Sequence, residues 1–535
     1  KTACPAHIAV QGYLKLAAQG KYREALQLIK RENPFPAVCG RICNRRCEDA
    51  CTRGTVDQAV AIDEVKRFIA QQDLDAATRF VPEKVIPKVD GEFDQQIAII
   101  GGGPAGLSCA YYLAEKGYRP TVFEKERRLG GMLENGLPSF RLEKDVVQAE
   151  IDVLREMGVQ FRCGVEVGKD VTIAQLRQEG FRGFYVAVGL QSGGKLDIPG
   201  GDAQGVMAGI DFMRQVNGGQ CSKLAGPVVV IGGGNIAADV ARTAVRCGAE
   251  SVDLYCLEGY DEMPMGAEDR SECERDGITI HAGWGQTEIV TENGHAAGIR
   301  FRKCLRVKDD QGRFAPVFDD NDACEAACAT VLYCIGQKVD WRQLLTGTAV
   351  TFNPNGTAQV DPVTYQTAEP DIFAGGDAVT GQKFAIDAIA AGKEGAISLH
   401  RFVQKATLTI GRNRRRFVEL DKENALIPVG FDNTPRQRIG YNEALRRTFR
   451  DERVAFTAEQ VQKETARCLS CGASVVDPNK CIGCGVCTTK CAFDAIHLHR
   501  ERPECTNMIP SEDKMKAILP YMVKRQIKIR KAGRK

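Results

Sequence analysis

The chain has 535 residues and a net charge of +3, with 43% hydrophobic and 26% charged residues. This length predicts three to five domains with ample core, and the small net charge gives no indication of nucleic-acid or membrane binding. No apolar run approaches the roughly 18 to 20 residues that span a bilayer, and the N-terminus lacks a secretory signal pattern. We therefore expect a cytoplasmic protein and, because no initiator Met is present, further sequence upstream of Lys1.

Cysteine is abundant, with 22 residues. In a large chain without a secretory signal, clustered cysteines indicate metal ligands rather than disulfides. Ten of them are mostly isolated and are expected in the core. The others form a front group (Cys4, Cys39, Cys43, Cys47 and Cys51) and a back group (Cys468, Cys471, Cys481, Cys484, Cys487, Cys491 and Cys505).

Residues 1–85 are predicted to be a helical domain, because GYLKLAAQGKYREALQLIKRE has an apolar period of three to four residues. From Cys39 to Cys51 a cysteine recurs at every fourth position. On one continuous helix these thiols would span about 18 Å at ~1.5 Å per residue, which is too far for a single iron–sulfur cube. The chain must therefore turn here, or the cysteines must serve more than one cluster.

A glycine-rich turn follows in IAIIGGGPAGLSCAYYLAEKGYRPTVFEKE, which predicts a strand, a turn, a helix and a second strand. Gly101, Gly103 and Gly106 give the G-x-G-x-x-G spacing that lets a pyrophosphate approach the backbone and a helix pack on the strand. The helix begins near Pro104 and Ala105, and its N-terminus favours an anion. The acidic residue 23 positions after the first glycine, Glu124, can accept hydrogen bonds from a ribose.

The same unit recurs in PVVVIGGGNIAADVARTAVRCGAESVDLYCLE. Gly232, Gly234 and Ala237 occupy the glycine positions, and Asn235 and Ile236 lie at the start of the predicted helix. Two such units imply two dinucleotides, one held and one exchanged. The segments FYVAVG, LYCIGQ and IFAGGDAVTG lie between and after them.

These segments together resemble the flavin disulfide-reductase-like superfamily, in which the first unit binds FAD and an inserted second unit binds NAD(P)H. No paired redox-active C-x-x-x-x-C follows the first turn, so disulfide-reductase chemistry is not expected. No catalytic acid–base pair is expected of the protein either, since the chemistry belongs to the cofactors. The resemblance implies cofactor contacts at Gly131, Gly189, Gly336, Gly376, Asp377 and Ala385, the last near the flavin ring.

Four motifs narrow the resemblance: NPFPAVCGRICNRRCEDAC, GLPSFRLEK, IGGGNIAADVAR and DEMP. They are similar to the glutamate synthase small subunit, the flavin-plus-cluster part of dihydropyrimidine dehydrogenase and the NADPH-binding subunit of the ferredoxin-dependent transhydrogenase. This similarity covers about residues 1–405. The resemblance implies two [4Fe-4S] clusters at the front, with ligands among Cys4, Cys43, Cys47 and Cys51.

This chain departs from the relatives' front region at two places. The relatives' upstream C-x-x-C run is absent, and Lys66 stands where they have a Gln or Glu ligand. A protonated Lys cannot ligate iron. ARCLSCGA, at 466–473, resembles the missing run, so Cys468 and Cys471 could complete a front cluster; they could instead serve the C-terminal domain, or bind no metal.

The back cassette KCIGCGVCTTKCAFDAI has the bacterial ferredoxin spacing C-x2-C-x2-C-x3-C, with Ala492 where Pro is usual. We predict an iron–sulfur cluster on its cysteines rather than zinc. In two-cluster ferredoxins the fourth cysteine serves the other cluster, so Cys491 could pair with Cys468 and Cys471. From Lys514 onward the tail has nine Lys or Arg and no acidic residue, which suits either a solvated helix end or a docking surface for an acidic partner.

The nicotinamide preference depends on the end of the second unit's second strand. The relatives carry two arginines there, which hold the 2′-phosphate of NADPH, whereas this chain has Cys256 and Leu257, followed by Glu258. A carboxylate suits the 2′-hydroxyl of NAD(H) and repels a 2′-phosphate. NAD(H) is therefore favoured over NADP(H), although arginines from elsewhere could reverse this.

The predicted fold is α/β: a helical iron–sulfur domain, two Rossmann-like domains with the NAD(P) domain inserted in the FAD domain, and a ferredoxin-like domain. The predicted boundaries are 1–85 (helical domain), 96–220 and 341–405 (FAD domain), 221–340 (NAD(P) domain), 406–465 (linker), 466–510 (ferredoxin-like domain) and 511–535 (basic tail).

No substrate-reducing domain is recognisable, so the chain is expected to be one subunit of a larger redox complex. Three functions compete. The first is an NAD(P)H-handling subunit of a ferredoxin-linked oxidoreductase in an anaerobe, with electron bifurcation as one form. The second is a glutamate synthase small subunit, and the third is a non-enzymatic electron-wiring scaffold.

Overall fold

The computed structural model describes residues 3–83, 93–194, 197–221, 223–412, 421–422, 430–471, 481–490, 496–498 and 509–532. The chain divides into two compact units, Lys1–Gly472 and Ala473–Lys535.

The N-terminal part is helical, as its apolar period predicts. Leu26, Ile29 and Val65 are fully buried between its helices, and the same core continues into the first nucleotide-binding fold. The helices are α1 (Val10–Ala18), α2 (Tyr22–Lys30), α3 (Pro36–Ile42), α4 (Arg46–Asp49) and α5 (Ile62–Ala70), with 3-10 turns at Thr52–Thr55 and Gln71–Asp73.

The next segment alternates strands and helices, because short apolar runs end in turns, and helices begin after these turns. Its elements are β1 (Gln96–Ile100), α6 (Pro104–Glu115), β2 (Thr121–Glu124), α7 (Met132–Asn135), α8 (Lys144–Glu156), β3 (Gln160–Cys163), α9 (Ile173–Gln178), β4 (Phe181–Val186), β5 (Ser192–Gly193), β6 (Val206–Ala208) and α10 (Gly209–Asn217).

The second nucleotide-binding fold repeats this alternation and adds a three-stranded antiparallel sheet, β10–β12. Its elements are β7 (Val228–Ile231), α11 (Asn235–Arg246), β8 (Val252–Cys256), α12 (Ala267–Arg275), β9 (Thr279–Ala282), β10 (Trp284–Glu292), β11 (His295–Lys308), β12 (Phe314–Ala327), β13 (Thr330–Tyr333) and β14 (Gln337–Lys338). The chain continues through β15 (Ile372–Ala374), α13 (Asp377–Thr380) and α14 (Ala385–Val403).

Both parallel sheets have five strands, in the orders β15-β4-β1-β2-β3 and β6-β13-β7-β8-β9. The late strand β15 pairs with β4, so the chain returns to the first sheet after building the second. The second fold is therefore inserted in the first, and the predicted fold class is confirmed. Each glycine turn follows the central strand of its sheet, β1 or β7, at the carboxyl edge where such sheets bind ligands.

Part of the segment predicted as a linker is built onto the helical domain. It contains β16 (Gly440–Tyr441), a 3-10 turn at Glu443–Leu445, β17 (Arg453–Val454) and α15 (Ala458–Ala466). Helix α15 packs against α1 and α5. Its Glu464 is fully buried and accepts a hydrogen bond from the backbone N–H of Ala61 at 2.8 Å.

In the second compact unit the structure describes α16 (Val486–Lys490), a 3-10 turn at Ser511–Asp513 and α17 (Lys514–Ala532). Helix α17 exposes Met515, Leu519 and Tyr521 among its basic residues. Within the described ranges of the chain, every helix is too short or too polar to cross a membrane.

Candidate functional site

A cavity of about 1030 Å³ lies between the two nucleotide-binding folds. The glycine turns of both folds open on it, so the structure brings the two predicted dinucleotide sites together. Two of the predicted cofactor residues, Gly106 and Gly336, lie outside its lining. Those that line it are Gly101, Gly103, Pro104, Ala105, Glu124, Gly131, Gly189, Gly232, Gly234, Asn235, Ile236, Glu258, Gly376, Asp377 and Ala385.

The first glycine turn leaves no room for a side chain at Gly101 or Gly106. Gly101 has φ +111°, and a Cβ there would overlap the carbonyl of Ala187. A Cβ at Gly106 would overlap the carbonyl oxygen of Gly101, so this glycine sets how closely α6 approaches β1. Helix α6 begins at Pro104 without a side-chain cap, which leaves its first N–H groups free for an anion.

Two carboxylates, the buried Glu124 and the partly buried Asp377, face the first fold's part of the cavity. Glu124 accepts hydrogen bonds from the backbone N–H groups of Gly102 at 2.7 Å and Glu126 at 2.9 Å. Burial nevertheless raises the pKa of Glu124. Asp377 begins the short helix α13 after Gly376, whose φ of +70° favours glycine. Burial raises the pKa of Asp377 to about 7, against a hydrogen bond from the N–H of Lys383.

The second glycine turn is built differently. Gly232 has φ +140°, but Ala237 replaces the third glycine. The Oε2 atom of Glu258 lies 2.8 Å from the position that a Cβ of Gly233 would occupy. Within the part of the chain that the structure describes, no cation lies within ion-pairing distance of the Glu258 carboxylate. Cys256, the residue two before it, is buried.

Sequence reasoning missed a partly buried arginine that connects the two folds. Arg141 belongs to the loop before α8 and lines the cavity. Its Nε lies 2.7 Å from Oδ1 of Asp239 on α11, and its guanidinium also pairs with Asp269 on α12. Arg141 lies in the motif GLPSFRLEK, which marked this segment in the sequence. Its partners lie about 100 residues or more further along the chain, so the sequence could not predict the pairing.

The front cysteines are carried by a chain that turns twice. Cys39 lies inside α3, Cys43 caps the end of α3, Cys47 lies in α4 and Cys51 precedes a 3-10 turn. The first turn occurs at Arg45, which has the left-handed φ of +56° that few residues other than glycine adopt. The cysteines thus leave the single helical line on which they would be too far apart.

The surroundings of the front cysteines are buried and rich in cations. Burial raises the pKa of Cys39, Cys43 and Cys47, and Lys66 opposes this shift at each of them. Lys66 is itself buried and pairs with Asp63. Arg67, the next residue, is also buried and pairs with Asp451 at 3.0 Å. Lys66 favours the thiolate form of all three cysteines, which is the form that binds iron, so the residues present fit an iron–sulfur group.

Cys468 and Cys471 lie on the helical domain. The preceding residue, Arg467, is fully buried and donates to the carbonyl of Gln58 at 2.7 Å, while its own carbonyl accepts from Arg53 at 2.9 Å. Cys468 is close enough to Cys51 for that thiol to raise its pKa, although burial is the larger cause. The amide of Gln11, on α1, lies 3.9 Å from the sulfur of Cys471.

The described residues contain no three His, Cys, Asp or Glu side chains that converge as they would on a single metal ion. A [4Fe-4S] cube holds its ligand sulfurs on separate iron atoms, so its cysteines need not converge on one point. In the compact unit Ala473–Lys535, the thiol-bearing residues Cys481, Cys484 and Cys487 are exposed. Cys491, and with it the completed back cassette, lies outside the described residues.

Comparison with known proteins decides the family. Residues 95–392 match the family model for pyridine nucleotide-disulphide oxidoreductases. The chain belongs to this family. It is an oxidoreductase with a cluster domain in each terminal region: residues 1–78 match the dihydropyrimidine dehydrogenase domain II 4Fe-4S model, and residues 474–497 match the 4Fe-4S binding domain model. The resemblance stated from the motifs is thereby confirmed.

Three relatives are similar to most of this chain. The chain is 34% identical to the NADP(+)-dependent formate dehydrogenase subunit beta of Moorella thermoacetica, covering 88% of this chain and 69% of that protein. It is 29% identical to the NADPH-Fe(3+) oxidoreductase subunit beta of Geobacter sulfurreducens, covering 88% and 74%. Against the glutamate synthase [NADPH] small chain of Halomonas elongata, the identity is 32%, covering 73% and 85%.

Among solved structures, the Mycobacterium tuberculosis oxidoreductase FprA is similar in fold. The TM-score is 0.51 with 17% identity, covering 70% of this chain and 99% of that chain. At this identity the likeness shows the fold alone. It agrees with the two parallel sheets and the inserted second fold described above.

Proposed function

We propose that this chain is the nicotinamide-oxidising flavoprotein subunit of a multi-subunit redox complex, passing electrons from NAD(P)H through FAD to [4Fe-4S] clusters. One observation carries the proposal. The cavity lined by both glycine turns is also lined by Ile42, the residue next to Cys43. The proposed nicotinamide site, the proposed FAD site and the chain segment that carries Cys43 therefore border the same cavity. The relatives named as subunits beta or small chains support assembly into a complex.

The first fold is the one we assign to FAD. Gly101 and Gly103 would take the pyrophosphate, Glu124 a ribose, and Asp377 the ribityl region, with Ala385 near the ring. This assignment is supported by the close packing of the turn at Gly101 and Gly106 and by the two carboxylates that line the cavity. Bound FAD supplies the conversion between a hydride donor and one-electron carriers. The chain's own part is to bind, to orient and to keep water out.

For the front clusters we propose two ligand groups. Cys4, Cys43 and Cys47 would serve one cluster, and Cys51, Cys468 and Cys471 the other. The second group is supported by the burial of Arg467, by its bond to Gln58 and by the approach of Gln11 to Cys471. Cys39 is buried inside α3 and stays a predicted ligand without an assignment to either group.

For the nicotinamide we propose NADH. Glu258 lies beside the glycine turn, with no described cation to neutralise it, where a 2′-phosphate would have to bind. The relatives are named for NADP(+) or NADPH. The arginine pair that the resemblance implies for binding the 2′-phosphate is absent from this chain, which has Cys256 and Leu257 at these positions. Glu258 would thus give this chain a preference for NADH, in contrast to the dinucleotide for which these relatives are named.

Electrons would leave toward ferredoxin or a partner subunit through the back cassette. The second candidate function, a glutamate synthase small chain, is favoured by the Halomonas relative. The 4Fe-4S binding domain at 474–497 weighs against it, because it supplies an additional electron exit beyond the front clusters. Glutamine-dependent turnover with a large subunit would decide for that candidate.

Iron counting tests the cluster part of the proposal. In anaerobically purified, cluster-replete protein, Cys471→Ser should lower the iron per chain and change the cluster spectrum. Cys221→Ser, at a cysteine outside both groups, is the matched control and should leave both unchanged. Undiminished iron in Cys471→Ser would exclude the proposed second group. If the double variant Cys471→Ser/Cys487→Ser loses as much iron as the two single variants together, the two cysteines serve separate clusters.

A further inference from the structure

Two adjacent arginines between Cys43 and Cys47 reach different domains. Arg45 places its Nη1 3.2 Å from Oε2 of Glu268, in the first turn of α12 in the second fold. Arg46 forms a bidentate pair with Asp387 in the first turn of α14 in the first fold, with N–O distances of 3.0 and 3.3 Å. The cysteine loop is thus in ionic contact with both nucleotide-binding folds.

Glu268 belongs to the wall of the second fold's site. Two residues before it, the N–H of Gly266 donates to Oδ1 of Asn235 at 3.1 Å, and Asn235 lines the cavity together with Pro264. A displacement of the segment from Pro264 to Glu268 would therefore move the carboxylate with which Arg45 pairs.

Asp387 belongs to the wall of the first fold's site. Its Oδ2 accepts a hydrogen bond from the N–H of Phe384 at 3.3 Å, and Phe384 lines the cavity beside Ala385. The guanidinium of Arg46 also lies 5.6 Å from the centre of the Phe384 ring, a favourable cation–π distance.

The backbone between the arginines is held in place from behind. Arg45 has φ +56°, and its guanidinium also lies 3.3 Å from Glu64 and 3.7 Å from Asp63 on α5. An unusual backbone conformation that several contacts maintain is a reason to look for a role. Here it lets two consecutive long side chains point to two domains.

A second cavity of about 440 Å³ adjoins this loop. It is lined by Cys43, Arg45 and Glu268, and it shares Ile42, Asn235, Pro264, Arg141 and Phe384 with the first cavity. The loop that carries the cysteines and the two dinucleotide walls therefore meet at one junction, where the two arginine contacts are made.

From this geometry we propose that Arg45 and Arg46 are positioning residues, which dock the Cys43–Cys47 loop on both nucleotide-binding folds and fix its distance from the cavity. The inference rests on the proposed function. Arg46 is the stronger member, because a bidentate arginine–carboxylate pair has two parallel bonds. The Arg45–Glu268 contact is single, and Glu268 is half exposed, which weakens it.

The test uses the FAD- and cluster-loaded full chain with Arg46→Gln, Arg46→Lys and Glu268→Gln. Hydrogen–deuterium exchange of residues 44–49 and the two phases of anaerobic reduction by NADH are measured. Arg46→Gln should speed the exchange of this loop and slow cluster bleaching several-fold, because the rate of electron transfer falls as the distance between the flavin site and the cluster grows, while flavin bleaching stays close to that of the wild type. Arg46→Lys should be intermediate, and Glu268→Gln weaker in both readouts.

Arg300→Gln is the matched control, because Arg300 pairs with Glu288 and Glu325 on the exposed three-stranded sheet; it should behave as wild type. Unchanged exchange and unchanged cluster bleaching in Arg46→Gln would overturn the inference. If Arg46→Gln does not load iron, Glu268→Gln leaves the loop sequence intact and is judged by the same exchange readout. Absence of flavin reduction in the wild type would instead refute the proposed function, while the exchange comparison would still decide on docking.

Discussion

The two nucleotide-binding folds have matching sheets but unequal sites. In the first, Gly106 closes the turn and Glu124 is held by two backbone N–H groups. In the second, Ala237 takes the place of that glycine, and Glu258 has no ion-pair partner among the residues described. The first carboxylate is preorganised before any ligand arrives, whereas the second is left for the ligand to engage.

This difference is what a resident and an exchanged dinucleotide require. A cofactor that stays bound gains from groups already fixed in their bound geometry, because less ordering free energy is lost on binding. A dinucleotide that must leave after each turnover gains nothing from tighter fixation. The comparison therefore supports assigning the first fold to FAD and the second to the nicotinamide.

The largest effect is expected at the third glycine. Gly106→Ala would push α6 away from the carbonyl of Gly101, and we expect a loss of about 3 kcal/mol in the free energy of unfolding together with loss of FAD. Ala237→Gly, at the matching position of the second fold, should cost only about 1 kcal/mol and keep FAD. Denaturant unfolding and flavin per chain measure both variants. Full flavin content in Gly106→Ala would remove the distinction between the turns.

A smaller effect is expected at the end of the second fold's second strand. Glu258→Arg replaces the unpaired carboxylate by a guanidinium that can hold a 2′-phosphate. The ratio of kcat/KM for NADPH to that for NADH should rise by roughly tenfold, equivalent to about 1.4 kcal/mol. Glu262→Arg, at an exposed residue of the same loop, should leave the ratio unchanged. An unchanged ratio in Glu258→Arg would show that the preference is set elsewhere.

A third effect concerns pH and comes from a residue of the first fold. Burial raises the pKa of Asp377 to about 7, above its unfolded value of about 3.9. Between about pH 4 and 7 the folded state holds a proton that the unfolded state has lost, so this group's contribution to stability falls as pH rises. In FAD-free protein, Asp377→Asn should flatten the decline of Tm from pH 5 to pH 8. An equally steep decline in the variant would contradict this.

Local patterns predicted the nucleotide-binding folds well. The glycine spacing, the apolar strands and the acidic residues at the strand ends are all set within about 30 residues, and both sheets place them as expected. The insertion of the second fold followed from the resemblance and is visible in the pairing of β15 with β4. The helical front domain followed from its apolar period.

Contacts between distant segments were not readable. The approach of Arg467 to Gln58 joins positions about 400 apart, and the pair of Arg46 with Asp387 joins positions about 340 apart. Spacing left Cys468 and Cys471 equally compatible with either end of the chain, since ligand spacing constrains only neighbours. The burial of Arg467 and its contacts with Asp57 and Gln58, which exist only in the folded chain, place these two cysteines on the helical domain.

The most direct test of the central claim is anaerobic stopped-flow absorbance of the cluster-replete protein mixed with NADH and, separately, with NADPH. We predict fast flavin bleaching by NADH followed by slower cluster bleaching, and slow or no reduction by NADPH. Fast reduction by NADPH alone would contradict the role of Glu258. No flavin reduction by either dinucleotide would contradict the assignment of this chain as the entry point for electrons.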